Sequence, residues 1–219
     1  MKDWIHHKEL DRIDSLRLVA GKINLPDFMI EKDWWVTAVL EGIFTSELPK
    51  AFAFKGGTSL SKAWNLLNRF SEDIDIVISK SLFGTSDDEP LNRSQRERLR
   101  DKAHKFIREE VVPILRKRLL EIGIPEKLFK IYPDTYVSSD QDPTVIFLDY
   151  TSLTDIPDEY TKHQIKIEIG VRAMMVVSLR LSISLCISFS IFASLFFSFL
   201  KMLGLISFVS FVTVLVSSS

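Results

Sequence analysis

Two hydrophobic periodicities alternate along this chain and predict a mixed α/β domain. From Asp27 to Phe44, the residues Ile30, Trp34, Val36, Thr37, Leu40, Ile43 and Phe44 mark an apolar helical face, and Asp27 suits its start. The apolar run Ala51-Phe-Ala-Phe54 precedes Gly56 and Gly57; beyond them Leu60, Ala63, Trp64 and Leu67 fall at helical spacing, with Thr58 or Ser59 as the cap. The period then changes to two: Asp73, Asp75 and Val77 share one strand face, while Ile74, Ile76 and Ile78 share the other. A polar loop from Leu82 to Ser94 leads into a charged helical segment, Gln95 to Glu121. Its stripe is Leu99, Phe106, Ile107, Val111, Ile114, Leu115 and Leu119, and Pro113 is expected to kink or divide it. Thr144 to Thr151 and Gln164 to Val171 read as strands joined by a polar connection around Pro157. The fold class expected is α/β (α+β), a small mixed β-sheet flanked by helices.

The chemistry suggested by this order of parts is nucleotide handling. Gly56 and Gly57 let a ligand approach the backbone closely, and the helix N-terminus beyond them, at Thr58 and Ser59, favours phosphate. Asp73 and Asp75, roughly 6.5–7 Å apart along one strand face, can address one hard cation or a close pair. Taken singly, a Gly-Gly pair is more often a turn and an Asp-x-Asp more often a solvated strand edge; their combination across one helix is what points to a site. In the strand Gln164 to Val171, Lys166 and Glu168 stand on the face opposite the isoleucines, so a third carboxylate sits mid-strand. That carboxylate can equally be paired with Lys166. Glu31, Lys32 and Asp33 stand in a first helical turn, where charges are usually solvated or paired, and read as fold residues. Lys55, Arg69 and Ser71 flank the motif without a defined role.

These stretches resemble the nucleotidyltransferase superfamily and, within it, the AbiEii/AbiGii toxin family of type IV toxin–antitoxin and abortive-infection systems. The resemblance is carried by Ile30-Glu-Lys-Asp-Trp-Trp-Val-Thr-Ala-Val-Leu40, Phe54-Lys-Gly-Gly-Thr-Ser-Leu60, Arg69-Phe-Ser-Glu-Asp-Ile-Asp-Ile76 and Ile165-Lys-Ile-Glu-Ile-Gly-Val-Arg-Ala173. It implies a nucleotidyltransferase fold in which Asp73, Asp75 and Glu168 are the catalytic and metal-binding carboxylates, and Gly56, Gly57, Thr58 and Ser59 bind the nucleotide. It implies Mg²⁺ (or Mn²⁺) as cofactor and an NTP as substrate, with NMP transferred to an RNA (tRNA included) or protein acceptor. A cognate antitoxin is the implied partner.

Composition and the C-terminal tail qualify this picture. A formal net charge of −1 over 219 residues gives no general attraction to nucleic acid, and one cysteine allows no internal disulfide framework. The arginines and lysines from Arg93 to Arg118 are interspersed with Glu97, Asp101, Glu109 and Glu110, which reads as a solvated face rather than a phosphate track. The four histidines are too scattered to suggest a zinc site, and the N-terminus lacks a signal-peptide pattern, so a cytoplasmic catalytic domain is expected over residues 1–173. Residues 174–219 form an atypical apolar tail rich in Ser, Phe and Leu, with Arg180 and Lys201 its only charges. The charge-free stretch 181–200 is long enough to cross a bilayer, which makes a membrane-anchored enzyme one alternative and the membrane a partner only if the tail is genuine. The abrupt change also looks like translation in a wrong frame, which gives the other alternative, an inactive truncated relic or interaction module. The family carries a further phosphate-contacting lysine and a further acidic residue C-terminal to this point; Lys201 lacks matching surroundings, and no Asp or Glu follows Glu168.

Overall fold

A computed structural model of the chain describes residues 4–46, 48, 51–55, 73–135, 142–155 and 162–171. The sequence expectations for Gly56, Gly57, Thr58 and Ser59, for the helix through Leu67, for Arg69 and Ser71, and for the tail 174–219 lie outside these residues. Within them the elements run α1 (Glu9–Ile23), α2 (Asp27–Phe44), β1 (Phe52–Lys55), β2 (Asp73–Ile78), α3 (Arg93–Phe106), α4 (Val112–Glu121), β3 (Phe129–Pro133), β4 (Thr144–Tyr150) and β5 (Gln164–Val171). The strands form one mixed sheet in the order β1-β2-β5-β4-β3, with β2 and β5 parallel and the other pairs antiparallel.

The period-two alternation decides which way each strand faces. Ile74, Ile76 and Ile78 register with Ile167, Ile169 and Val171 on β5, and Ile165, Ile167 and Ile169 pair in turn with Leu148, Ile146 and Thr144 on β4. These isoleucines are essentially inaccessible and form one side of the core. The other side is α2 and α4. Helix α2 is buried almost all round rather than along a single face: Trp35 lies under Tyr150 at 5.1 Å between ring centroids, and Gly42 lets the Leu115 side chain of α4 approach its backbone. A Cβ at Gly42 would stand 2.8 Å from Leu115 Cδ1, so a side chain there would displace the end of Leu115.

The charged helical segment is divided as expected, with Pro113 in the first turn of its second half. The chain widens into a π turn over Ile107–Val111, where the Val112 N–H donates to the Ile107 carbonyl, and Pro113 then sits in the first turn of α4. Leu99, Ala103, Ile107, Val111, Leu115 and Leu119 are all buried at a spacing of four. Such a stripe drifts about 40° per step around an ordinary helix. The wide turn takes up an extra residue and rotates the second half back toward the sheet. Pro113, which has no N–H to donate, sits where the bonding changes from the wide turn to the ordinary helix.

Two elements are not announced by the sequence pattern. Helix α1 buries only Leu16 and Val19, and the short β3 closes the sheet edge against β4. Asp27 does not cap α2 from outside; it lies inside the first turn, where its Oδ1 accepts from the Phe28 N–H at 2.9 Å.

Candidate active site

The face of the sheet opposite the helices carries the polar residues in rows set by strand register. Lys55 on β1 stands opposite Asp75 on β2, and Asp75 stands opposite Glu168 on β5. One step along, Asp73 is opposite Lys166, which is opposite Phe147 on β4 and, through it, Tyr132 on β3. The sheet therefore brings Asp73, Asp75 and Glu168 to one face in neighbouring positions, although the strand bearing Glu168 follows some ninety residues later in the chain.

Charge balance on this face is tight. Lys166 Nζ meets Glu168 Oε1 at 2.5 Å, both side chains being partly exposed, so the alternative pairing of Glu168 is present. The hydrogen bond it donates to the Glu168 carboxylate holds the Lys166 ammonium above the ordinary lysine range. Burial pushes the Asp75 carboxyl above the ordinary aspartate range; Lys55 opposes this, while the negative charges of Glu168 and Asp73 add to it. Asp75 is thus a carboxylate that the protein alone does not fully compensate.

That property has a sign that can be measured. The folded chain holds a proton on Asp75 more tightly than the unfolded chain does. Its stability contribution is greatest below the unfolded pKa and declines as pH rises between the unfolded and folded values. In metal-free buffer, Asp75→Asn is expected to melt above the wild type at neutral pH, with the difference closing under acid conditions where Asp75 is protonated in both states. Melting curves over a pH series check this; a variant less stable than the wild type at neutral pH would contradict it.

The donor set fits a hard divalent cation, because Mg²⁺ takes carboxylate oxygens and an uncompensated Asp75 is what such a charge would relieve. The arrangement is not a preformed cage. Among the described residues no group of three or more His, Cys, Asp or Glu side chains is placed to hold a metal ion, and Glu168 is engaged with Lys166.

Of the charged residues in the first turns of α2, Glu31 is built into the fold. Glu31 is only 1 % exposed, yet its carboxylate accepts from Ser152 Oγ, the Leu153 N–H and Thr154 Oγ1, which ties α2 to the segment following β4. It is paired rather than solvated. On the charged helices, Arg93–Glu97, Lys105–Glu109 and Lys117–Glu121 are pairs one turn apart with mostly exposed side chains. Sequence reasoning missed Tyr132, Phe147, Asp149 and Gln164 as residues of the carboxylate face. The parity of Phe147 and Asp149 within the run Thr144–Tyr150 was the available signal.

Comparison with known proteins identifies the family. The family model described as nucleotidyl transferase AbiEii toxin, type IV TA system, matches residues 38–190, from within α2 through β5 and on into the apolar tail. No curated protein and no solved structure matches. Among the described residues no helix is long and apolar enough to cross a membrane.

Proposed function

We propose that this chain, which belongs to the AbiEii family of nucleotidyl transferase toxins from type IV toxin–antitoxin systems, transfers a nucleoside monophosphate from an NTP to a hydroxyl of an RNA or protein acceptor, using the carboxylate face of its sheet. The observation that carries the reading is the cross-strand placement of Asp73, Asp75 and Glu168 on one face, with Asp75 left short of compensating charge. Asp73, Asp75 and Glu168 would hold Mg²⁺ or Mn²⁺, which when bound supplies charge neutralisation on the triphosphate and on the leaving oxygen.

The chain's own residues do the positioning. Gly56, Gly57, Thr58 and Ser59 follow β1 directly and would orient the phosphates through backbone and hydroxyl hydrogen bonds. Lys55 and Lys166 border the carboxylates on the flanking strands and limit repulsion between them and an incoming polyphosphate. In the transfer, the acceptor oxygen bonds to the α-phosphorus as the α–β phosphoanhydride breaks, pyrophosphate departs, and the hydroxyl proton passes to a base. Glu168 would receive that proton once its pairing with Lys166 opens.

A toxin of this kind acts on its host. Induced expression of the full chain is expected to arrest growth, and Asp73→Ala with Asp75→Ala to restore it at equal protein levels. Co-expression of the cognate antitoxin is expected to relieve the arrest as well. Arrest that persists in the double variant would remove the carboxylate face from the toxic activity.

A further inference from the structure

The carboxylate face continues beyond Lys166 into two aromatic rings that the transfer chemistry does not use. Phe147 and Tyr132 stand opposite each other on β4 and β3, with ring centroids 5.9 Å apart and planes tilted by 47°. They extend the row Asp73–Lys166 across the sheet, so Phe147 lies two strand spacings, about 10 Å, from Asp73. Both rings are half-buried rather than packed into the core.

The Tyr132 ring is held rigidly from one side. Its hydroxyl donates to Asp149 Oδ2 at 3.0 Å and accepts from Gln164 Nε2 at 3.1 Å, while the same Gln164 amide reaches Asp149 Oδ1 at 2.7 Å. Burial and the Asp149 carboxylate push the phenol above its ordinary range, which keeps it protonated as a donor. Lys130 Nζ stands 5.3 Å from the Tyr132 ring centroid. Cross-strand aromatic pairs also stabilise sheets. That role does not account for a pair whose Tyr132 is fixed by a polar network and bordered by a cation, and which stands in line with Asp73, next to the row of Asp75 and Glu168.

We propose that Phe147 and Tyr132 form a nucleobase-stacking subsite, taking the base of a nucleotide whose phosphates face the Asp75–Glu168 row. The proposal rests on the nucleotidyl-transfer reading and assigns that site its base-binding half. Aromatic platforms suit this task because every base presents a π face, and stacking contributes about 1–3 kcal/mol per base. The base can belong to the incoming NTP or to a nucleic-acid acceptor, and the two sources are separable.

The test uses the full chain and equilibrium binding of three probes: each NTP, a single-stranded RNA hexamer, and inorganic tripolyphosphate. Phe147→Leu is expected to weaken NTP or hexamer binding about tenfold, leave tripolyphosphate binding unchanged, and leave the melting temperature near that of the wild type. Phe147→Trp, which keeps a stacking surface, is expected to retain binding. A loss for NTP identifies the base as that of the incoming nucleotide; a loss confined to the hexamer identifies it as an acceptor base. Unchanged affinity for both in folded Phe147→Leu, or an equal loss for tripolyphosphate, overturns the proposal. A wild-type chain that binds NTP or hexamer in a Phe147-dependent way yet transfers no nucleotide would count against the catalytic reading alone.

Discussion

Alanine at Asp75 is expected to lower the rate of nucleotide incorporation by at least about a hundredfold, because charge-stabilising groups at a reacting centre typically contribute that much. A hundredfold loss corresponds to about 2.7 kcal/mol of transition-state stabilisation. The structure makes the result interpretable. Asp75 is disfavoured as a charged group by burial and by Glu168 and Asp73, so its removal relieves the fold instead of weakening it. The variant should therefore melt at or above the wild-type temperature while its activity collapses. Initial rates of labelled NTP incorporation, measured beside melting curves, check both halves. Activity within threefold of wild type would show that Asp75 is not part of the reacting centre.

The largest effect on stability is expected at Glu31, far from that chemistry. Its carboxylate accepts from Ser152 Oγ at 2.5 Å, from the Leu153 N–H at 2.9 Å and from Thr154 Oγ1 at 2.8 Å, in a site almost closed to solvent. Alanine would leave those donors without their partner, and hydrogen bonds to a charged group are each worth about 1.5–3 kcal/mol. Allowing for relaxation and entering water, Glu31→Ala should cost about 3 kcal/mol and lower the melting temperature by on the order of 10 °C. Glu31→Gln should cost less, since its amide oxygen still accepts from Leu153. Urea unfolding of the two variants provides the measurement, and an alanine variant as stable as wild type would show the tie to be dispensable.

The contrast between these residues shows what the sequence could reveal. Asp73 and Asp75 were legible because they violate a pattern: a buried strand alternates isoleucine with carboxylate, and alternation is local. Glu168 was legible for the same reason on β5, with the face shared by all three following once β2 and β5 pair in register. Glu31 gave no such signal. A glutamate in a first helical turn is ordinary surface chemistry, and its partners lie more than 120 residues away. Pro113 marked the division of the charged segment but not its form, because the π turn before it depends on keeping a four-residue stripe against the sheet. Phe147 and Asp149 sat in a strand that was read correctly, but their relation to Tyr132 needed β3, whose five residues carry little alternation.

The proposed reaction moves the α-phosphorus of the NTP, not the γ-phosphorus, as the nucleotidyl transferase family name implies. Incubating the full wild-type chain with Mg²⁺, cellular RNA and protein, and NTP labelled at either position tests this most directly. The α label is expected to enter an acceptor, the γ label to leave within pyrophosphate, and EDTA or Asp73→Ala with Asp75→Ala to abolish incorporation. Transfer of the γ label, or α-label incorporation undiminished in the double variant, would contradict it.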